Sequence, residues 1–142
     1  MDAILSIKPR FVKEIVAGRK TYEFRKKGFK EHVGKVYVYA SSPVCRIVGE
    51  FTLGNILEGR PDKIWSQTSN HAGITREYFD EYYDNRDVAY ALEIRFFKVY
   101  DQPINPYNVL ERFTPPQSFC YVRQDAFHRK KNHVSFNSKY KP

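Results

Sequence analysis

Several residues and patterns that would announce a function are scarce or missing from this 142-residue chain. Cysteine occurs twice, as Cys45 and Cys120, far apart in strand-like segments. Free thiols in a reducing compartment are therefore expected, not a disulfide or a metal clip. The histidines, His32, His71, His128 and His133, stand without ligand spacing, and there is no Walker loop, GxGxxG, HExxH or CxxC. No metal and no cofactor is expected. Apolar runs reach only a few residues, far from the roughly 20 that cross a bilayer. The N-terminus carries Asp2, Lys8 and Arg10 with no apolar stretch of signal-peptide length between them. The expectation is a cytoplasmic protein with no membrane partner.

Aromatics and positive charge are plentiful. Eleven Tyr and eleven Phe within a 42% hydrophobic composition suit a packed domain, and the length suits one domain, not two. The net charge of +8 is unevenly spread. Residues 1–30 carry nine Lys/Arg against three Asp/Glu, residues 31–122 nine against twelve, and residues 123–142 six against one. A basic N-terminal unit and a basic tail around a mildly acidic body point to a directed positive surface and a polyanionic partner. The division expected is a domain over 1–122 and a tail over 123–142, with Arg129-Lys130-Lys131 available for phosphates.

Read in order, Ile4 to Lys8 alternates as a strand. Pro9 keeps Lys8 extended and suits a helix's first turn, Phe11, Val12, Ile15 and Val16 repeat at helical spacing, and Gly18 is a natural stop. Thr21 to Lys26 reads as a second strand, with Tyr22 and Phe24 on one face and Glu23 and Arg25 on the other. Further strands are expected at Lys35–Ser41, Val44–Leu53, Val88–Val99 and Phe119–Val122. Gly49 marks a bulge or close approach, and Asp101 to Pro106 a turn. Helices are expected at 61–67 and after an N-cap at Thr75, the latter carrying Tyr78, Phe79, Tyr82 and Tyr83 as a stripe assigned to the core. Such a count, without regular βα alternation, fits an α+β fold: a small mixed β-barrel of about six strands with two or three flanking helices.

The corner Gly18-Arg19-Lys20-Thr21-Tyr22-Glu23-Phe24-Arg25 concentrates chemistry at a chain reversal. Lys8, Lys20 and Arg25 supply fixed positive charge near the N-terminus of the first helix, where anions are already favoured. Glu23 can orient the guanidinium or accept from a base amino group, and an ordinary surface ion pair is the plain alternative. Trp65 or Tyr82 can stack on a base. Ser42, where the third strand ends, completes these ligand-contact candidates.

Three pieces together resemble the ASCH domain of the PUA-like superfamily. They are Ile7-Lys8-Pro9, the Gly18-x-Lys20-x-x-Glu23-x-Arg25 corner, and Pro115-Pro116-Gln117-Ser118-Phe119. The resemblance spans roughly residues 1–122. It implies a small β-barrel whose cleft is lined by the corner residues, with Gln117 and Ser118 at the same pocket, and an RNA- or nucleotide-related role. Three functions follow as expectations. The first is binding of RNA or a modified nucleotide. The second is metal-independent cleavage of single-stranded RNA, an activity of the family, with Lys20 and Ser118 as catalytic candidates. The third is an N4-acetylcytidine-type amidohydrolase, whose pattern places a nucleophilic Thr three residues after the lysine. Glu23 occupies that position here, which argues against the third.

Overall fold

The computed structural model describes residues 1–127. The basic run Arg129–Lys131, with His128 and His133, lies outside the described residues. Strand β1 (Asp2–Ile7) is almost wholly buried because it has partners on both sides: β3 (Lys35–Ala40) runs parallel to it and β6 (Phe119–Val122) antiparallel. A strand covered on both faces carries a near-continuous apolar run, as Ala3-Ile4-Leu5 does here. Helix α1 (Pro9–Val16) starts where Pro9 holds Lys8 extended at φ −64°, ψ 141°. It stops where Gly18 takes φ +82°, a conformation costly for other residues.

Beyond the corner, β2 (Tyr22–Arg25) pairs antiparallel with the long strand β5 (Ala89–Ile104), and β5 pairs with β4 (Arg46–Gly59). The sheet order is β2-β5-β4-β3-β1-β6, an α+β arrangement whose curled sheet forms a half-barrel of the expected kind. Its inner face packs Leu5, Ile7, Ile15, Val36, Val38, Phe51 and Leu92 into the main core. Helices α2 (Pro61–Thr68) and α3 (Arg76–Tyr82), linked through a short 3-10 turn at Ser69–His71, bury Ile64, Phe79 and Tyr83 against Phe24, Ala89 and Ala91. Thr75 caps α3 as expected, its Oγ1 accepting from the Tyr78 N–H at 3.0 Å. Among the described residues no helix is long and apolar enough to cross a membrane.

Strand boundaries depart from expectation in the long hairpin. The fourth strand does not begin at Val44: Ser42–Pro43 is cis, Cys45 has φ 55°, and the turn occupies the positions read as strand. It also runs on through Asn55 to Gly59, and β5 continues through Asp101 to Ile104, where a turn was expected. The alternation read through Ile94 and Phe96 breaks because the β4–β5 register shifts between Glu50 and Thr52, where β5 carries the extra residue. An extra residue moves every later side chain to the opposite face. Phe96, at φ 55°, is thus 76% exposed, while Phe97 packs on the core. Gly49 is a close approach as read: a Cβ there would collide with the Lys98 carbonyl oxygen.

Packing extends past Val122. Ala126 and Phe127 are buried, the Phe127 ring lies 4.8 Å from that of Tyr37, and the Asp125 N–H donates to Asp2 at 2.9 Å.

Candidate functional site

The half-barrel leaves its two outer strands, β2 and β6, without a ladder between them, and the corner residues sit at that seam. Arg25, at the end of β2, reaches across it. Its Nη2 donates to the Ser6 carbonyl at 2.8 Å, and its Nη1 donates to the Ser118 carbonyl at 3.2 Å and to Ser118 Oγ at 3.4 Å. The Ser6 N–H donates to the same Ser118 carbonyl at 3.1 Å, so β1 and the segment entering β6 converge on one guanidinium. Arg25 is 6% exposed, and its Nε is buried without a hydrogen-bond partner among the described residues.

Glu23 sits between two cations. Its Oε2 accepts from Arg25 Nη2 at 2.8 Å and its Oε1 lies 3.3 Å from Lys20 Nζ, with Lys20 itself 2% exposed. The Lys20 ammonium also donates to the Ala72 carbonyl at 3.1 Å and stands 4.9 Å from the centre of the Phe24 ring. Burial pulls its pKa below the ordinary lysine range, against the opposing pull of Glu23. Gly73 closes over this lysine: with φ +66° it takes a turn that other residues resist, and a Cβ there would strike the Lys20 side chain.

Above this floor opens a cavity of about 450 Å³. That lies within the roughly 300–1,000 Å³ typical of small-molecule sites. Of the sequence candidates it gathers Lys8, Lys20, Glu23, Arg25, Tyr82, Gln117 and Ser118. Ser42 is not among its lining residues and stands exposed in the turn that follows β3. Nor is Trp65, whose ring lies against Phe79 at 4.9 Å and under Arg76 at 5.5 Å. His71 is also absent from the lining.

The structure adds Ser6, Phe11, Lys26, Lys27, Ile74, Tyr78 and Arg86. Tyr78 and Tyr82 are one helical turn apart and share a face, whereas Phe79 and Tyr83 point into the core. The stripe read as core, from which Tyr82 alone is also a stacking candidate, is therefore split between core and cavity. That split was available from the helical wheel, since adjacent positions differ by about 100°. Lys26 Nζ lies 4.6 Å above the Tyr82 ring, and burial raises the pKa of that phenol.

Charge in the cavity is unbalanced. Glu23 is its one carboxylate, and Lys20 and Arg25 occupy both of its oxygens. Lys8, Lys26, Lys27 and Arg86 have no carboxylate partner among the described residues. No group of three or more His, Cys, Asp or Glu side chains placed to hold a metal occurs among the described residues. An anion with a flat apolar part would meet compensating charge and aromatic surface together here.

The ASCH domain pattern matches residues 5–98, which takes in α1, the corner and most of the long hairpin. The chain belongs to the ASCH domain family. Among curated ASCH relatives, the ASCH domain-containing ribonuclease of Zymomonas mobilis is 30% identical over 131 residues, covering 87% of this chain and 86% of that one. The crystal structure of ASCH from Zymomonas mobilis superposes with a TM-score of 0.81 at 28% identity, over 89% of this chain and 90% of the other. Large ribosomal subunit protein uL22 of Ureaplasma parvum is 32% identical over 91 residues, which span 63% of this chain and 28% of that protein. In this ASCH domain the motif residues Lys20, Glu23 and Arg25 form the cavity floor.

Proposed function

We propose that this ASCH domain binds single-stranded RNA by taking a nucleotide into the cavity above Lys20, Glu23 and Arg25. The observation that carries the reading is the set of unneutralised cations, Lys8, Lys26, Lys27 and Arg86, beside the rings of Tyr78 and Tyr82. The cations meet phosphates and the rings meet a base, the combination by which single strands are held. Glu23 orients the floor, and a base amino group donating to it would share oxygens that already face Lys20 and Arg25. Affinity for a short RNA, measured by fluorescence anisotropy, should fall steeply as salt rises. Salt-independent binding, or none to any RNA, would sink the reading.

Metal-independent cleavage of the bound strand is the second reading. It is favoured by the buried Lys20, whose lowered pKa suits it to proton transfer, and by the name of the Zymomonas relative. In such a step the 2′-oxygen bonds to the adjacent phosphorus as the bond to the 5′-oxygen breaks. The 2′ proton leaves to a base, and the 5′-oxygen gains one. Lys20 would stabilise the phosphorane's added charge or take the 2′ proton, with Ser118 Oγ beside Arg25 in the same cavity. Labelled RNA should be cut in EDTA by the wild type and not by Lys20→Ala. Equal cleavage by both would identify a contaminant. The amidohydrolase reading gains nothing, since Thr21 does not line the cavity and Glu23 is held by two cations.

A further inference from the structure

The wall of the cavity formed by Phe11, Ile74 and Tyr78 has a second side. A hollow of about 330 Å³ shares these three residues and adds Arg10, Glu14 and Thr75. Two cations flank the shared ring. Lys8 Nζ lies 5.7 Å from the centre of Tyr78 and lines the first cavity, while Arg10 Cζ lies 5.3 Å from it and lines the second. The Arg10 guanidinium also rests 4.8 Å from the Phe11 ring. It has no carboxylate partner among the described residues. Glu14, the acid of the second hollow, is held by Arg19 through bonds of 2.8 and 3.0 Å, which offsets part of the charge that would repel a phosphate.

We propose that this hollow is a second nucleotide site, so that the ligand is a strand of at least two nucleotides passing over Tyr78. The proposal rests on the RNA-binding reading and specifies it. A mononucleotide has one base and fills one hollow. The partition offers apolar surface to both hollows, and the phosphodiester joining two nucleotides falls between Lys8 and Arg10. Both cations are held against ring surface, so their placement costs less side-chain entropy on binding than that of freely swinging arms. Stacking is indifferent to base identity, so the second site adds affinity with little sequence preference.

The test compares 2′-O-methyluridine 5′-monophosphate with the 5′-phosphorylated 2′-O-methyl dinucleotide, which cannot be cleaved through its 2′ position. Binding is measured by calorimetry at fixed salt. The dinucleotide should bind on the order of tenfold more tightly, and Arg10→Gln should remove most of that gain while leaving the monophosphate within about twofold. Glu14→Gln, which removes the acid from the second hollow, should keep the gain or enlarge it. Equal affinity for the two probes overturns the second site and leaves the first intact. An Arg10→Gln loss of the same size for both probes overturns it as well, since that is a general charge effect. Failure of both probes to bind overturns the RNA reading, and the second site falls with it. Thermal midpoints of both variants, expected to match the wild type, exclude a folding defect.

Discussion

Among the described residues charge is buried in two places, and the two are built differently. The cavity floor holds Lys20, Glu23 and Arg25. The other place, where β1 and β3 begin, holds Asp2 and Glu50, each 3% exposed. There, Asp2 accepts from the Lys35 N–H at 3.1 Å and the Asp125 N–H at 2.9 Å. Glu50 accepts from the Tyr100 hydroxyl at 2.7 Å and pairs with Lys35 Nζ at 3.3 Å. Both clusters tie distant segments together: Arg25 joins β2 to Ser6 and Ser118, and Asp2 joins the first strand to the last described turn. What separates them is the space above. One cluster lies beneath a cavity ringed by unpaired cations, and the other is bonded to the segment that ends in buried Ala126 and Phe127. Burial of charge alone therefore does not mark a site. Burial of charge beside surplus charge and an opening does.

That contrast can be broken most forcefully at Glu23. Replacing it with alanine leaves Lys20 and Arg25 facing each other without their shared anion, and breaking such a buried pair costs about 3–5 kcal/mol. Urea unfolding should register the loss, and RNA binding should collapse with it. Asp2→Ala comes next in size. It removes the carboxylate to which two part-buried N–H groups donate, a loss of up to about 3 kcal/mol in all, yet RNA affinity should stay within about twofold at temperatures where the variant is folded. A large affinity loss in Asp2→Ala would erase the distinction between the two clusters.

Lys20→Met should stop cleavage while costing less stability than Glu23→Ala, because Glu23 keeps Arg25. It also carries the pH dependence. Burial lowers the Lys20 pKa in the folded chain, so between that value and the ordinary lysine value near 10.4 the unfolded chain binds more protons. The stability linked to this group is therefore present above the unfolded value and is lost as pH falls through the folded one. The Lys20 contribution should rise with alkaline pH, opposite in sign to that of Tyr37 and Tyr83, whose phenol pKa values burial raises, so the difference in unfolding free energy between wild type and Lys20→Met should grow with pH over that window. The smallest effect is expected at the rim. Lys27→Ala should lower RNA affinity a few-fold, reduce the slope of log affinity against log salt by about 0.7, and change stability by under about 0.5 kcal/mol.

Much of the scaffold was legible from local pattern. Pro9 and Gly18 bracket α1, Thr75 caps α3, and the corner from Gly18 to Arg25 is a helix stop followed by a strand. These features depend on a few consecutive residues, where backbone preference and side-chain period act directly. The β4–β5 hairpin was less legible, because its bulges depend on pairing between strands and alternation cannot reveal a register shift. At the site, Trp65 was favoured over Tyr78 on its chemistry as a stacker. Packing decided otherwise, by placing Trp65 against Phe79 and leaving Tyr78 at the partition between two hollows.

The sequence by itself determined that a lysine would stand in the turn after one helix and that a glutamate and an arginine would follow it on one strand, sharing a face. Strand period and the helix stop at Gly18 are enough for that. Only the tertiary structure decided what each does: Glu23 is spent on its neighbours, and Arg25 clasps the seam at Ser118, 93 positions away. Lys8, Lys26, Lys27 and Arg86 line the cavity with no carboxylate partner among the described residues. The reason is that whether a charge is neutralised depends on distances of a few ångströms between groups remote in the chain, and no local pattern records those distances.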